Sequence, residues 1–197
     1  DPFRRQIIQK GASIFFPPEI TGSHIGPAVC HTSGRITDLK FRAQTSFFSH
    51  FGAEFNLFEL DEEQEKMLCG YIRLHKQYRQ LLHNGRAVRL ELSDPLRNGY
   101  GAVSADRSLA LFCVVQMDLP AQTSDRTIRF SHLEPDSLYQ IILVPPVHDS
   151  IDQKLTTPEA WTTGFTLQGR VLMESGISLF LPWPGTGVMF ELKKVAS

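Results

Sequence analysis

The hydrophobic period of the chain changes near residue 85, and this change restricts the fold more than any other feature. Before it, apolar residues recur every three to four positions, which is typical of amphipathic helices. After it, short runs with a period of two, such as Val88, Leu90 and Leu92, are separated by Gly, Pro and Asp. Helical sequence followed by all-β sequence predicts two units, residues 1–85 and residues 86–197.

Two helices are predicted in the first unit. The first should begin near Thr37, and it carries an apolar stripe at Leu39, Ala43, Phe47, Phe51 and Phe55. The second should begin at Asp61, which forms a capping box with Gln64, and its apolar spacing continues to Leu82. With only a short turn expected between them, we predict that the two helices pack as an antiparallel pair.

A strand and a long loop are predicted ahead of these helices. Residues 12–16 form a short apolar run that is ended by two prolines, as expected for a buried strand. Residues 20–35 lack periodicity and contain several glycines, so they predict an irregular loop. Loops of this length without a periodic pattern are often functional.

The second unit is predicted to be an antiparallel β-sandwich. About eight short strands are separated by turn residues, and no helical pattern is present. The predicted strands include residues 88–92, 109–115, 126–130, 139–144, 165–167, 177–181 and 188–192, with a loop at 145–163.

Composition excludes several classes of function. The 20 Lys and Arg residues are balanced by 21 Asp and Glu residues, so the chain has no basic excess with which to hold a nucleic-acid backbone. No apolar run approaches the ~20 residues that span a bilayer. Three cysteines without paired spacing argue against a disulfide framework. We therefore predict a soluble, cytoplasmic protein that binds neither nucleic acid nor membrane.

The histidines and cysteines do not form a recognisable catalytic or metal motif. His24 and His31 lie seven residues apart, but no carboxylate or cysteine stands at a matching ligand spacing, so we predict no metal site and no cofactor. Cys30 and His31 are neighbours on an extended segment, where successive side chains point in opposite directions, so adjacency does not make them a catalytic dyad. Helical positions on polar or half-buried faces are predicted for His50, His75 and His83.

Two tryptophans in the second unit have two interpretations. Trp161 and Trp183 could present a flat ring face to the C–H groups of a sugar, or they could pack within the unit. Packing is the simpler interpretation. The first interpretation would make the chain a non-catalytic carbohydrate-binding or structural β-sandwich module.

Beyond these patterns, an ordered set of short motifs runs through almost the whole chain. In the first unit the motifs are QKG (9–11), FPPE (16–19), GSHIGP (22–27), HTSGR (31–35), FRA (41–43), FGAEFNL (51–57) and YRQLLHNG (78–85). In the second unit they are LEPDSLY (133–139) and GRVLMESGI (169–177). Together they resemble the C-terminal portion of the microbial α-galactosidases, or melibiases, of glycoside hydrolase family 36.

This resemblance implies that the chain is a fragment of a much longer enzyme. Its fold would be α+β: the end of a (β/α)8 barrel (strand, long loop, two antiparallel helices) followed by an antiparallel β-sandwich. The implied reaction is the retaining hydrolysis of terminal α-linked galactose from oligosaccharides, with one carboxylate as nucleophile and a second carboxyl group as acid. Because the strand of the nucleophile would lie upstream, the isolated chain is expected to lack turnover. Transferase activity, another α-glycoside specificity and a homo-oligomeric state remain open.

The resemblance also indicates which residues lie near the active site. Asp1 matches the second Asp of a Ser-Asp-x-x-Asp motif in which the catalytic acid is expected three residues earlier. Asp1 is then either the acid itself or a residue that holds the neighbouring loop, so no residue of this chain is assigned a certain catalytic role. Ser23 and His24 either touch the sugar or order their loop. Val29-Cys30-His31 stands where many relatives have Pro-Asn-His, which leaves the substrate preference open.

Overall fold

The computed structural model describes residues 1–119, 126–144, 159–181 and 183–195. Within it the chain divides into two compact units, Asp1–His83 and Asn84–Ser197. The first mixes helices with two short strands, and the second is built mainly from antiparallel strands, so the chain is α+β. None of the helices in these ranges is long and apolar enough to cross a bilayer.

The first unit is a β–α–β–α arrangement that follows an N-terminal helix. Its elements are α1 (Pro2–Ala12), β1 (Gly22–Ile25), α2 (Leu39–Ser46), β2 (His50–Ala53) and α3 (Glu62–Asn84). β1 and β2 pair in parallel, with Gly22 opposite His50 and Ile25 opposite Ala53. Parallel neighbours require a crossover connection, which α2 supplies.

An aspartate caps the start of each of the three helices. Asp1 Oδ1 accepts a hydrogen bond from a backbone N–H in the first turn of α1, and Asp38 Oδ1 accepts one in α2. Asp61 Oδ1 accepts from the Gln64 N–H at 2.8 Å, while Gln64 Oε1 accepts from the Asp61 N–H at 3.3 Å. The capping box predicted for α3 is therefore confirmed. These carboxylates satisfy N–H groups that have no partner within the helix.

The strand predicted at residues 12–16 is wrong. α1 extends to Ala12, and Ile14, Phe15 and Phe16 follow it in turns with 55% to 80% of their surface exposed. An apolar run alone could not reveal this, because hydrophobicity does not distinguish buried from exposed segments. The strand of this region is β1, which lies inside the segment predicted to be an irregular loop.

The prediction of an antiparallel helix pair is also wrong. α2 begins after Asp38 and ends at Ser46, and Phe51 belongs to β2 rather than to a continued helical stripe. His50, predicted on a helix, is the first residue of β2, whereas His75 and His83 do lie on α3. A strand and a 3-10 turn therefore separate α2 from α3, so the two helices do not form a hairpin.

Phe47 lies at the centre of the packed core of the first unit. Its side chain is fully buried, and the ring makes edge contacts with Phe51, Tyr71 and His75 at centroid distances of 5.9, 6.3 and 5.4 Å. The sequence identified Phe47 and Phe51 as core and placed Tyr71 in the apolar stripe of the second helix, whereas His75, expected on a polar or half-buried face, is buried. They are brought together from α2, β2 and α3 rather than from one continuous helix.

The second unit has eight strands and two short helices in its described part. They are β3 (Arg86–Arg89), β4 (Arg97–Val103), β5 (Leu109–Gln116), β6 (Thr127–Ile128), β7 (Leu138–Leu143), α4 (Glu159–Thr163), β8 (Phe165–Gln168), α5 (Gly169–Glu174), β9 (Ile177–Ser178) and β10 (Thr186–Lys194). Six strands form an antiparallel sheet in the order β3-β4-β5-β10-β7-β8, and β6 pairs with β9.

Most strands of this unit lie where the period of two predicts them. β4 was missed because it contains Gly99 and Gly101, which interrupt its apolar pattern. The expectation of no helix is wrong, since α4 and α5 are present. Most of the loop predicted at residues 145–163 lies outside the described residues.

Gly176 ends α5 in a conformation that favours glycine. Its φ is +73°, and its N–H bonds back to the Val171 carbonyl, which satisfies one of the last carbonyl groups of the helix. A Cβ atom placed on Gly176 would overlap the carbonyl oxygen of Ile128 in β6. The absence of a side chain thus lets β9 return alongside β6.

Candidate functional site

Polar contacts join the start of α1 to the segments that follow β1 and β2. The Asp1 side chain is almost fully buried, caps α1, and forms an ion pair with Arg35 at 3.1 Å. The Arg35 guanidinium also lies 4.4 Å from the ring centroid of Phe3. Asp1 therefore ties the N-terminus of α1 to the loop that follows β1.

A second set of contacts joins α1, β1 and the end of β2. Nε2 of His24 lies 2.5 Å from Glu54 Oε2 and 3.2 Å from Arg5 Nη2. Glu54 directly follows β2, and its N–H donates to the Ile25 carbonyl, which extends the pairing of the two strands by one residue. One imidazole nitrogen thus faces both an acidic and a basic side chain.

The two faces of β1 have different environments. Ser23 and Ile25 are buried, and Ser23 Oγ accepts a hydrogen bond from Gln9 of α1 at 2.9 Å. Because side chains alternate along a strand, His24 points to the opposite face, where its side chain keeps 42% of its surface exposed. Ser23 therefore packs directly against α1, whereas His24 lies on the opposite face of β1 and meets α1 through the long Arg5 side chain.

The loop after β1 is an ordered hairpin rather than an irregular segment. Val29 pairs with Ile36, the Cys30 N–H donates to the Arg35 carbonyl, and Gly34 occupies a turn with φ +68°. Hydrogen bonds from Ser33 and then Thr32 lower the pKa of the Cys30 thiol to about 5. The partners of Cys30 are thus hydroxyl and backbone groups of its own turn, and the structure records no contact between its sulfur and His31.

The tryptophans of the second unit differ in exposure. Trp161 is only 8% exposed and its ring packs on Phe165 and Phe190, with centroids 6.3 and 5.2 Å away. Trp183 keeps 49% of its surface exposed. Of the two tryptophans, only Trp183 presents surface that a sugar ring could contact.

The three other histidines of the first unit lie near one another. The rings of His50 and His83 are 4.8 Å apart, and His75 is stacked on Phe51. Burial lowers the pKa of His75, the nearby His83, Arg79 and His50 lower it further, and the hydrogen bond that its Nε2 donates to the Ser49 carbonyl opposes this. Within the described ranges, no group of three or more His, Cys, Asp or Glu side chains is arranged to hold a metal ion.

Sequence reasoning singled out Asp1, Ser23 and His24, but it missed Arg5, Arg35 and Glu54. The signal for Glu54 was its position directly after a strand. That signal was hidden because Phe51 was assigned to a helix. Arg5 and Arg35 carry no local signal, since each becomes part of the cluster only through the tertiary fold.

Two family models match this chain. The Melibiase model matches residues 1–85, and the model of the glycosyl hydrolase family 36 C-terminal domain matches residues 98–192. An alpha-galactosidase of Escherichia coli is 31% identical over 201 residues, which covers 98% of this chain and 28% of that protein. The bifunctional alpha-galactosidase/sucrose kinase AgaSK of Mediterraneibacter gnavus is 32% identical over 142 residues, covering 71% of this chain and 15% of that protein.

Solved structures with the same fold come from similar proteins. The galactosidase domain of AgaSK superposes with a TM-score of 0.81 at 27% identity, covering 99% of this chain and 25% of that chain. The GH36 alpha-galactosidase AgaA of Geobacillus stearothermophilus, in a variant bound to raffinose, gives 0.82 at 25% identity with the same coverage. The chain thus spans about a quarter of the length of these relatives.

Proposed function

Because the chain belongs to glycoside hydrolase family 36 and corresponds to the C-terminal portion of its α-galactosidases, we propose that it forms part of an enzyme that releases terminal α-linked galactose from oligosaccharides. Raffinose and stachyose are bound by similar enzymes, and oligosaccharides of this kind are the substrate class that we assign.

The observation that carries the proposal is the parallel β1–α2–β2–α3 order within the residues that match the Melibiase model. Parallel strands joined by helices are the repeating unit of a (β/α)8 barrel, and the active site of such barrels lies at the carboxyl ends of the strands. We assign the first unit to the last part of the barrel. We assign the second unit, with its six-stranded antiparallel sheet, to the C-terminal β-sandwich domain.

In this proposal the reaction proceeds with retention of configuration. A carboxylate nucleophile attacks the anomeric carbon to form a glycosyl-enzyme intermediate while a carboxylic acid protonates the leaving oxygen, the two groups being about 5–5.5 Å apart. Both groups are assigned to strands upstream of Asp1. The present chain contributes the walls of the site: Asp1 holds the loop after β1 through Arg35, and His24 lies near the end of β1, beside Glu54 at the end of β2.

The test uses the complete polypeptide that carries this segment. It should release 4-nitrophenol from 4-nitrophenyl α-galactoside and galactose from raffinose, whereas 4-nitrophenyl β-galactoside serves as the stereochemical control. Proton NMR of the first product should show α-galactose. Residues 1–197 alone should give no turnover, because the nucleophile is absent. A folded complete polypeptide without α-galactosidase activity, or turnover by the isolated chain, would refute the proposal.

A carbohydrate-binding module remains a second candidate, and the half-exposed Trp183 is the observation that favours it. Titration of the 197-residue chain with galactosides should then change tryptophan fluorescence, and Trp183→Ala should abolish the change. Because Trp161 is buried, a Trp161→Phe variant provides the matched control that keeps the Trp183 signal.

A further inference from the structure

The contact between His24 and Glu54 contributes little to stability where it lies. In this chain the two side chains are 42% and 71% exposed, and ion pairs at such exposure add little to the free energy of folding. The geometry is nevertheless specific, because Glu54 is held at the end of β2 by the strand pairing and His24 is held within β1. A fixed but weakly stabilising contact suggests a role in orienting the imidazole.

Arg5 and Glu54 require opposite hydrogen-bonding roles of the same nitrogen, Nε2 of His24. Nε2 of His24 can donate a hydrogen bond to Glu54 or accept one from Arg5, but it cannot do both. The 2.5 Å contact to the carboxylate is much shorter than the 3.2 Å contact to the guanidinium, and charge-assisted hydrogen bonds are the shorter and stronger ones. In the neutral imidazole, Glu54 therefore selects the tautomer with the proton on Nε2, and Nδ1 is then an acceptor.

We propose that Glu54 is a positioning residue that holds His24 in the Nε2–H tautomer, so that Nδ1 accepts a hydrogen bond from a hydroxyl of the α-galactoside. The proposal rests on the proposed function. It follows from the position of His24 on the face of β1 opposite Ser23, which in a barrel is the interior face, one residue from the carboxyl end of the strand. Arg5, whose Nη2 lies 3.2 Å from the same nitrogen, is the competing donor.

The first test reads the tautomer directly and does not depend on activity. The complete polypeptide that carries this segment is labelled with ¹⁵N-histidine, and long-range ¹H–¹⁵N correlation, with His24→Asn to identify the signal, assigns the protonated nitrogen of His24 at pH 8. We expect the Nε2–H form in the wild type and in Arg5→Met, and a shift towards Nδ1–H in Glu54→Gln. Glu59→Gln is the matched control, since Glu59 is an exposed residue that pairs with Asn56. A predominantly Nδ1–H wild type, or no change in Glu54→Gln, would overturn the proposal.

The second test measures kinetics in the complete polypeptide with raffinose. A hydrogen bond to the substrate in both the ground and transition states affects KM rather than kcat, so Glu54→Gln and His24→Ala should each raise KM by about tenfold with kcat nearly unchanged. Adding Glu54→Gln to His24→Ala should change nothing further, because Glu54 acts through His24. His24→Asn, which keeps an acceptor near the position of Nδ1, should restore most of the affinity.

The kinetic outcomes separate the two proposals. Equal losses from Glu54→Gln with and without His24 would show that Glu54 acts independently and would overturn the positioning role. A complete polypeptide without any α-galactosidase activity would instead overturn the proposed function, and the tautomer measurement would still decide whether Glu54 orients His24.

Discussion

The substitution Asp1→Asn separates the two roles that the resemblance leaves open for Asp1, catalytic acid or structural cap. Asn is as good an N-cap as Asp, so the hydrogen bond to the Phe3 N–H should survive. The variant loses the charge that pairs with Arg35, a residue whose side chain is 47% exposed. Such a half-exposed pair contributes up to about 1 kcal/mol, which corresponds to about a fivefold loss of kcat/KM if the loop position is fully coupled to catalysis.

A general acid at this position would give a much larger effect. Loss of general acid catalysis costs roughly 10²- to 10⁴-fold in rate. The loss would also depend on the leaving group, because a nitrophenolate departs without protonation whereas the sugar oxygen of raffinose does not. We expect Asp1→Asn in the complete polypeptide to lose about fivefold on both substrates, and Asp1→Ala to lose more because the cap is removed as well.

The assay compares kcat/KM for raffinose and 4-nitrophenyl α-galactoside, with Asp38→Asn as the matched cap control on α2. A drop above about 100-fold on raffinose alone would contradict the structural role and identify Asp1 as the acid. Circular dichroism of each variant excludes general unfolding as the cause of a uniform loss.

Three further predictions concern other parts of the chain. Gly176→Ala should destabilise the second unit by about 2–4 kcal/mol, because a left-handed φ is combined with overlap on the Ile128 carbonyl. Gly164→Ala should cost only about 1–2 kcal/mol, because Gly164 has φ +87° but its nearest neighbour is the flexible Gln140 Nε2 at 3.3 Å. Equal urea midpoints for the two variants would contradict this. Because Cys30 is buried, its ionisation is read by the ultraviolet absorbance of the thiolate in a Cys69→Ser background. This absorbance should be complete above pH 6, because the pKa is lowered to about 5; a signal that still rises between pH 7 and pH 9 and is lost in Cys30→Ala would contradict this. The first unit should lose stability as the pH falls below about 6.5, because the lowered pKa of buried His75 means that the unfolded state takes up the proton first. The free energy of unfolding should fall by at most about 1.4 kcal/mol per pH unit for one proton. If a His75→Gln variant keeps the same pH dependence in urea titrations, the effect belongs to another group.

Local signals predicted the parts of the fold that depend on neighbouring residues. The capping box of Asp61 and Gln64 and the branched apolar run of β5 are such signals, because the residues that form each pattern lie within a few positions of one another. The spacing of four residues between Phe47, Phe51 and Phe55 fits a helix as well as it fits the observed structure. Pairing between β2 and β1 decides against the helix, and a pairing across 28 residues leaves no mark within either segment.

The candidate site was predicted only in part for the same reason. His24 was selected through a motif, whereas Glu54 and Arg5 become its neighbours only when β1, β2 and α1 are folded together. The strand assigned to residues 12–16 also shows the limit of hydrophobicity as a signal, since Phe15 is 80% exposed. Apolar character predicts a tendency to be covered, but it does not indicate what covers the residue.

The position of β10 within the second unit has a consequence for biosynthesis. This strand, Thr186–Lys194, lies between β5 and β7 and pairs with both, so it joins the two halves of the six-stranded sheet. During translation, β3, β4 and β5 leave the ribosome about 70 residues before the strand that completes their sheet. Until then the long apolar edge of β5 is open to other chains, and a premature stop before residue 186 would leave it open permanently. This interval is when the nascent chain most needs a chaperone.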